Sequence, residues 1–134
     1  MEDRPKIGVD VIVRKDNKIL LLERKNNYGE WVWCLPGGHL EFAEEIVDCA
    51  KREVKEEANI DISNARIGTW LNNIFRDVGK HYITFYVEAE SSYEPTLAEP
   101  EKFRSVEWFE VDSLPKNLFS PLINLVDTGY FRKV

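Results

Sequence analysis

The sequence predicts an α+β fold, a mixed sheet with helices packed on both of its faces. Three observations point there: β-rich runs recur between turn signals, two segments carry helical features among them, and 134 residues suffice for one core but not two. Ile7 to Val13 and Lys18 to Arg24 are β-rich and flank the polar Arg14-Lys15-Asp16-Asn17, which predicts a hairpin. A polar loop, Lys25 to Glu30, leads to a short segment, Trp31 to Leu35, that Pro36-Gly37-Gly38 stops. The first helix is predicted from about Ala43 to Ala58, with Ala43, Ile46, Val47, Ala50, Val54 and Ala58 gathered on one side. Ile67 to Phe75 and His81 to Ala89 form a second strand pair around Asp77-Val78-Gly79-Lys80. A Pro- and Glu-rich loop, Ser91 to Lys102, precedes a strand from Arg104 to Phe109 and a short turn or helix from Val111 to Leu114. Ser120 and Pro121 supply N-cap and N1 signals for a last helix that ends at Gly129. With no internal repeat and no composition break, residues 1–134 read as a single domain.

Composition narrows the function classes. Hydrophobic residues at 43% and charged residues at 31% are ordinary for a globular protein, which excludes a disordered or fibrous chain. No apolar run reaches the roughly 18 residues of a membrane span, and the first residues lack the apolar stretch of a signal peptide, so no membrane partner and a cytoplasmic location are expected. Two cysteines, Cys34 and Cys49, are too few for a disulfide framework or a zinc site and read as reduced thiols. A net charge of -6 argues against a nucleic-acid polymer, whose binders present a basic face, but not against a small nucleotide held through cations.

The most informative stretch is Gly38 to Ile60. Setting Glu53 at zero on a helical projection places Glu57 near roughly 40° and Glu56 near roughly -60°, so all three acids share about a third of the circumference. Glu57 then falls inside the apolar stripe and Glu53 at its edge, where a bare carboxylate is costly. All three also crowd the C-terminal half of the helix, which disfavours negative charge. Such a violation of local rules marks a functional site, and hard oxygen donors in this arrangement suit a divalent cation such as Mg²⁺. Arg52, beside Glu53 and four residues before Glu56, is placed to orient those carboxylates. A lone Glu-x-x-Glu-Glu would more often be a solvated helix face, but the flanking residues reverse that balance.

Gly38, Glu44, Arg52, Glu53, Val54, Glu56, Glu57 and Ile60 stand in the register of the Nudix box, and the chain resembles the Nudix hydrolases. Asn59 departs, standing where the family usually has Gly, just past the helix end where Asn is the usual second choice for left-handed backbone. The resemblance implies a Nudix-type α/β/α sandwich with a curved mixed sheet, box 38–60 forming a loop-helix-loop at one edge. It also implies Glu53, Glu56 and Glu57 as catalytic metal ligands with the Gly38 carbonyl, Mg²⁺ or substituting Mn²⁺ as cofactor, and Arg52 as their catalytic partner. Glu44, facing away from the three acids, is assigned to holding the loop. Glu53 is the first choice for the base that activates water, with Glu99 and Glu101 as rivals, since relatives often bring an acid from that loop. Arg24 matches a phosphate-contacting position, and His39, next to Gly38, is placed to touch phosphate. For the nucleobase, Trp33, Phe75, Phe119 and the Asn72-Asn73 pair are candidates, while Trp70 and Trp108 read as core.

The segments Leu35 to Phe42, Glu99 to Lys102 and Val106 to Trp108 look like the MutT-like branch acting on nucleoside triphosphates, including oxidised ones. The implied reaction gives a nucleoside monophosphate and pyrophosphate. Hydrolysis of ADP-ribose or a nucleotide sugar is the rival, and a module that senses a nucleotide without cleaving it would be expected to have lost box acids that this chain keeps. A homodimer is admissible by analogy alone.

Overall fold

A computed structural model describes residues 3–132. Strands β1 (Lys6–Lys15) and β2 (Lys18–Lys25) form the first hairpin, pairing Arg14 with Ile19 and Lys15 with Lys18. The turn is Asp16-Asn17, and Asp16 adopts φ 56, a left-handed conformation that Asp tolerates through local hydrogen bonding. Beyond this point the two strands part. On the side of β2 lie β3 (Trp31–Cys34) and β7 (Ser105–Glu110), both antiparallel to it. On the side of β1 lie β6 (Lys80–Glu90), parallel to it from Lys6↔Tyr82 to Arg14↔Glu90, and then β5 (Ser63–Phe75), antiparallel to β6.

The Pro-Gly-Gly segment does more than stop a strand. Gly37–His39 is itself a short strand, β4, antiparallel to β1 with Val9 opposite Gly38 and Asp10 opposite Gly37. Glycine permits it, because a Cβ at residue 37 would sit 2.3 Å from the Val9 carbonyl oxygen.

Helix α1 (Ile46–Ala58) begins later than the predicted Ala43. Ala43 has φ 64, outside any right-handed helix, so the apolar pattern runs past the true start. The helix ends at Asn59, a left-handed cap at φ 56 and ψ 37 whose N–H donates to the Lys55 carbonyl. Helix α2 (Ser120–Asp127) is capped by Phe119, not by Ser120, so Ser120 is its first residue and Pro121 follows inside the first turn. Pro121 fits there because those amides have no intrahelical acceptor.

Strand alternation builds two cores, one on each face of the sheet. Val9, Val11 and Val13 pack with Val54, Ala58 and Val87 beneath α1, while Ile12 joins Leu21, Tyr86, Leu122 and Leu125 beneath α2. Each such side chain contributes about 1.5–3 kcal/mol of burial. Trp108 packs against the α1-side core as expected. Trp70 does not: on β5, at the sheet edge, it is 58% exposed. Periodicity alone cannot tell the covered end of a strand from the uncovered one. Among the described residues no helix is long and apolar enough to cross a membrane.

Candidate active site

Helix α1 carries the three box acids at its C-terminal half, and its tilt onto the sheet gives each a different environment. Glu53 and Glu57 are buried, whereas the Glu56 side chain is half exposed. The Gly37 N–H donates to Glu57 Oε1 at 2.9 Å, and the Gly38 backbone lies so close to the Glu53 carboxylate that a Cβ there would meet it at 2.5 Å. Glycine at 37 and 38 is thus what lets β4 and the two acids share one wall. Burial pushes the Glu57 carboxyl up to about 8, with the Gly37 N–H opposing and the neighbouring Glu53 adding to the rise. Burial also raises Glu53, against the pull of Arg52.

Arg52 holds several groups at once. Its Nε and Nη2 donate to Glu44 at 2.8 and 3.1 Å, Nη1 donates to Glu53 at 2.7 Å and to Glu56 at 3.4 Å, and Nη2 also donates to the His39 carbonyl at 3.2 Å. Glu41 lies 3.2 Å away as a further ion-pair partner. The bidentate contact dominates: Arg52 hydrogen bonds hold the Glu44 carboxyl down at about 2. Glu44 also accepts the Glu41 N–H at 3.1 Å, which ties the box loop to the helix.

The residues fit a divalent cation by their chemistry. Glu57 is a buried carboxylate whose hydrogen-bond donor is one amide, and Glu99 Oε1 is buried with no hydrogen-bond partner, the Lys102 Nζ standing 3.6 Å away. Such oxygens are short of positive charge. Among the described residues no three acids are already drawn to ligating distance, because Arg52 draws Glu53 and Glu56 toward itself. The loop bearing Glu99 is fastened to the helix end: the Thr96 N–H donates to the Ala58 carbonyl at 2.9 Å and the Ala98 N–H to the Glu57 carbonyl at 3.3 Å. Glu101, in the same loop, is exposed.

Where β1 and β2 diverge, a cavity of about 370 Å³ opens. Glu57, Gly37 and Gly38 line it together with Arg24, Phe103 and Phe119, and the Arg24 guanidinium lies 4.3 Å over the Phe119 ring. Phe75 and His39 also line it. The His39 imidazole packs on Tyr82 with ring centroids 5.4 Å apart and the planes tilted, and burial together with Lys6 and Lys80 lowers its pKa. Trp33 is corrected by the structure. Its neighbour Cys34 takes the cavity side of β3, so Trp33 faces the other way and meets Phe109 edge-on at 4.8 Å. The Asn72-Asn73 pair is also elsewhere: Asn73 is buried on Thr84, Tyr86 and Asn124, and Asn72 contacts His81.

Sequence reasoning missed Asp10, which lines the cavity from β1, and the hydrogen bond of the Tyr28 hydroxyl to Asp77, which joins two loops beside it. Asp10 had a signal, an acid at an inward position of an otherwise apolar strand. The Tyr28–Asp77 contact joins residues 49 apart and had none.

Known proteins similar to this chain identify its family. Residues 4–127 match the NUDIX domain family. An ADP-ribose pyrophosphatase of Methanocaldococcus jannaschii is 34% identical over 118 residues, covering 86% of this chain and 68% of that protein. An oxidized purine nucleoside triphosphate hydrolase of Danio rerio is 28% identical over 107 residues, covering 78% and 66%. The chain therefore spans about two thirds of the length of these two relatives. The crystal structure of a MutT NUDIX hydrolase from Burkholderia pseudomallei superposes with a TM-score of 0.85 at 28% identity, over 93% of this chain and 98% of that one. Fold, box and comparisons converge: the chain belongs to the Nudix family of pyrophosphatase hydrolases.

Proposed function

We propose that this chain is a Mg²⁺-dependent pyrophosphohydrolase of nucleotides, acting foremost on nucleoside triphosphates, oxidised ones included, to give the monophosphate and pyrophosphate. One observation carries the reading: a single cavity is lined both by Glu57 with Gly37 and Gly38 and by Arg24 and Phe119. A nucleotide asks for both, acids that hold a cation against its phosphates and a π-face for its base. Glu53, Glu56, Glu57 and the Gly38 carbonyl would hold the ion, with Mn²⁺ as a substitute, and Arg52 would keep Glu53 and Glu56 in place. The ion supplies charge neutralisation of the phosphoanhydride oxygens. The chain's own residues bind and orient. Arg24 would contact phosphate, His39 lines the cavity beside Gly38, and Phe119 would offer the base the face that Arg24 leaves open, the part that Trp33 cannot play. Proton removal from the attacking water falls to Glu53 or Glu99. Glu99 gains weight from its buried, unpartnered Oε1, and Glu101 loses it through exposure.

Hydrolysis of ADP-ribose is the second reading, favoured by the 34% identity to the archaeal enzyme. Incubating a nucleotide panel with Mg²⁺ and separating products by ion exchange decides between them. Pyrophosphate from a triphosphate is the expected result. A clear preference for ADP-ribose, with AMP and ribose 5-phosphate as products, overturns the choice of substrate, and no turnover of any nucleotide overturns the enzyme reading.

A further inference from the structure

Strand β1 places an acid where its alternation calls for an apolar residue. Val9 and Val11 pack beneath α1, and Ile12, on the same face of the strand as Asp10, is buried beneath α2. Asp10 instead reaches the cavity wall, opposite Gly37 in the β1–β4 register, where a Cβ on Gly37 would meet its Oδ1 at 2.6 Å. None of the ion pairs among the described residues includes it. A carboxylate kept at such a place without a basic partner is there for a ligand with donors.

Its position names the part of the ligand. Asp10 stands against Gly37, beside the box acids, in the cavity that Arg24 and Phe119 also line, and the charges of both Glu53 and Arg24 act on it. In a nucleotide whose phosphates sit at the box acids, the sugar is the group next to them and comes within reach of Asp10. The two oxygens of one carboxyl group can pair with the two adjacent hydroxyls of a ribose 2′,3′-diol.

We propose that Asp10 accepts hydrogen bonds from the 2′- and 3′-hydroxyls of the substrate's ribose and so sets a preference for ribonucleotides over 2′-deoxyribonucleotides. The proposal rests on the nucleotide reading above and narrows it. A site built to pair a hydroxyl discriminates well against the analogue that lacks it, because the acceptor is then left unpaired in a confined cavity.

The test compares kcat/KM for ATP, 2′-dATP and 3′-dATP in the wild-type protein, Asp10→Asn and Asp10→Ala, with thermal melts to confirm folding. AMP and 2′-dAMP are titrated calorimetrically alongside, a readout that needs no turnover. The wild type is expected to favour ATP over 2′-dATP by about tenfold or more, Asp10→Ala to bring the ratio within about threefold, and Asp10→Asn to fall between. The AMP to 2′-dAMP affinity ratio should shift in parallel. A wild-type ratio near one overturns the proposal, as does a ratio unchanged in Asp10→Ala. So does a change that follows the base, GTP against ITP, which would make Asp10 a reader of the base amino group. If the wild type hydrolyses no nucleotide, the functional reading fails by itself, and the monophosphate titrations still decide the role of Asp10.

Discussion

Arg14 and Arg52 each grip a glutamate through two nitrogens, yet one contact is closed and the other is not. Arg14 donates to Glu88 at 2.7 and 3.0 Å, and Glu88 receives a further bond from the Tyr130 hydroxyl at 2.7 Å. One guanidinium meets one buried carboxylate, and the hydrogen bonds outweigh burial enough to hold that carboxyl below its usual range. Arg52 stands among Glu41, Glu44, Glu53 and Glu56 and gives its best geometry to Glu44. Glu57 behind them receives one amide. A balanced pair is architecture, whereas an arginine outnumbered by acids leaves negative charge for a cation to match.

Breaking the outnumbered side has the largest expected effect. Glu57→Gln keeps shape but removes a charge, and kcat in Mg²⁺ should fall on the order of 100-fold or more, several kcal/mol of transition-state stabilisation. Chelation with EDTA should abolish turnover, and restored Mg²⁺ should return it. Full activity in Glu57→Gln would remove that residue from the ligand set.

The closed side should behave in the opposite way. Glu88→Gln leaves Arg14 facing an amide and weakens a buried contact, so urea melts should show a loss of roughly 1–3 kcal/mol. Steady-state kinetics on the folded fraction should stay within about twofold of the wild type. A fall in kcat matching that of Glu57→Gln would erase the contrast.

The two acids closest to the comparison titrate in opposite directions. In metal-free protein the Glu57 carboxyl is raised from its ordinary 4.5 to about 8, so the folded state holds a proton that the unfolded chain releases. Stability should therefore fall as pH rises between those values, by up to roughly 1.4 kcal/mol per pH unit. Glu44, held at about 2, contributes stability that is present above 4.5 and lost as pH falls toward 2. Urea melts in EDTA should show the decline, and Mg²⁺ should lessen it, as should Glu57→Gln, which removes the part between about 7 and about 8 that raised Asp10 does not share. A decline that survives Glu57→Gln has another source.

The smallest effect concerns the end of α1. Asn59→Gly should be near neutral, since both residues accept a left-handed cap, whereas Asn59→Val should cost about 1 kcal/mol or more. Thermal melts in which valine is tolerated as well as glycine would contradict the cap.

The acid end of the site was legible because contiguous residues build it: box 38–60 fixes the helix phase of Glu53, Glu56 and Glu57, and spacing carries that directly. The rest of the cavity is lined from β1, β2, β3, β5, β6, the connections between elements and the start of α2, and no local spacing encodes such a meeting. Trp33 shows the failure in one residue. The short run was visible as a strand, but which of its faces met the cavity depended on how β3 pairs with β2, so Cys34 took the place expected of the tryptophan. β4 was hidden because Gly-Gly reads as a turn until a partner strand makes close approach the reason for it. Ala43 misled differently, since its methyl continues the apolar stripe while its backbone does not continue the helix.

The two amides that join Thr96 and Ala98 to the end of α1 bind a segment without regular structure to the most cooperative element nearby. Their solvent hydrogens should exchange at the pace of the helix terminus, well behind those of other loop amides. Glu99, one residue on from Ala98, is therefore carried on a strap tied to carbonyls that the end of α1 leaves without partners of its own.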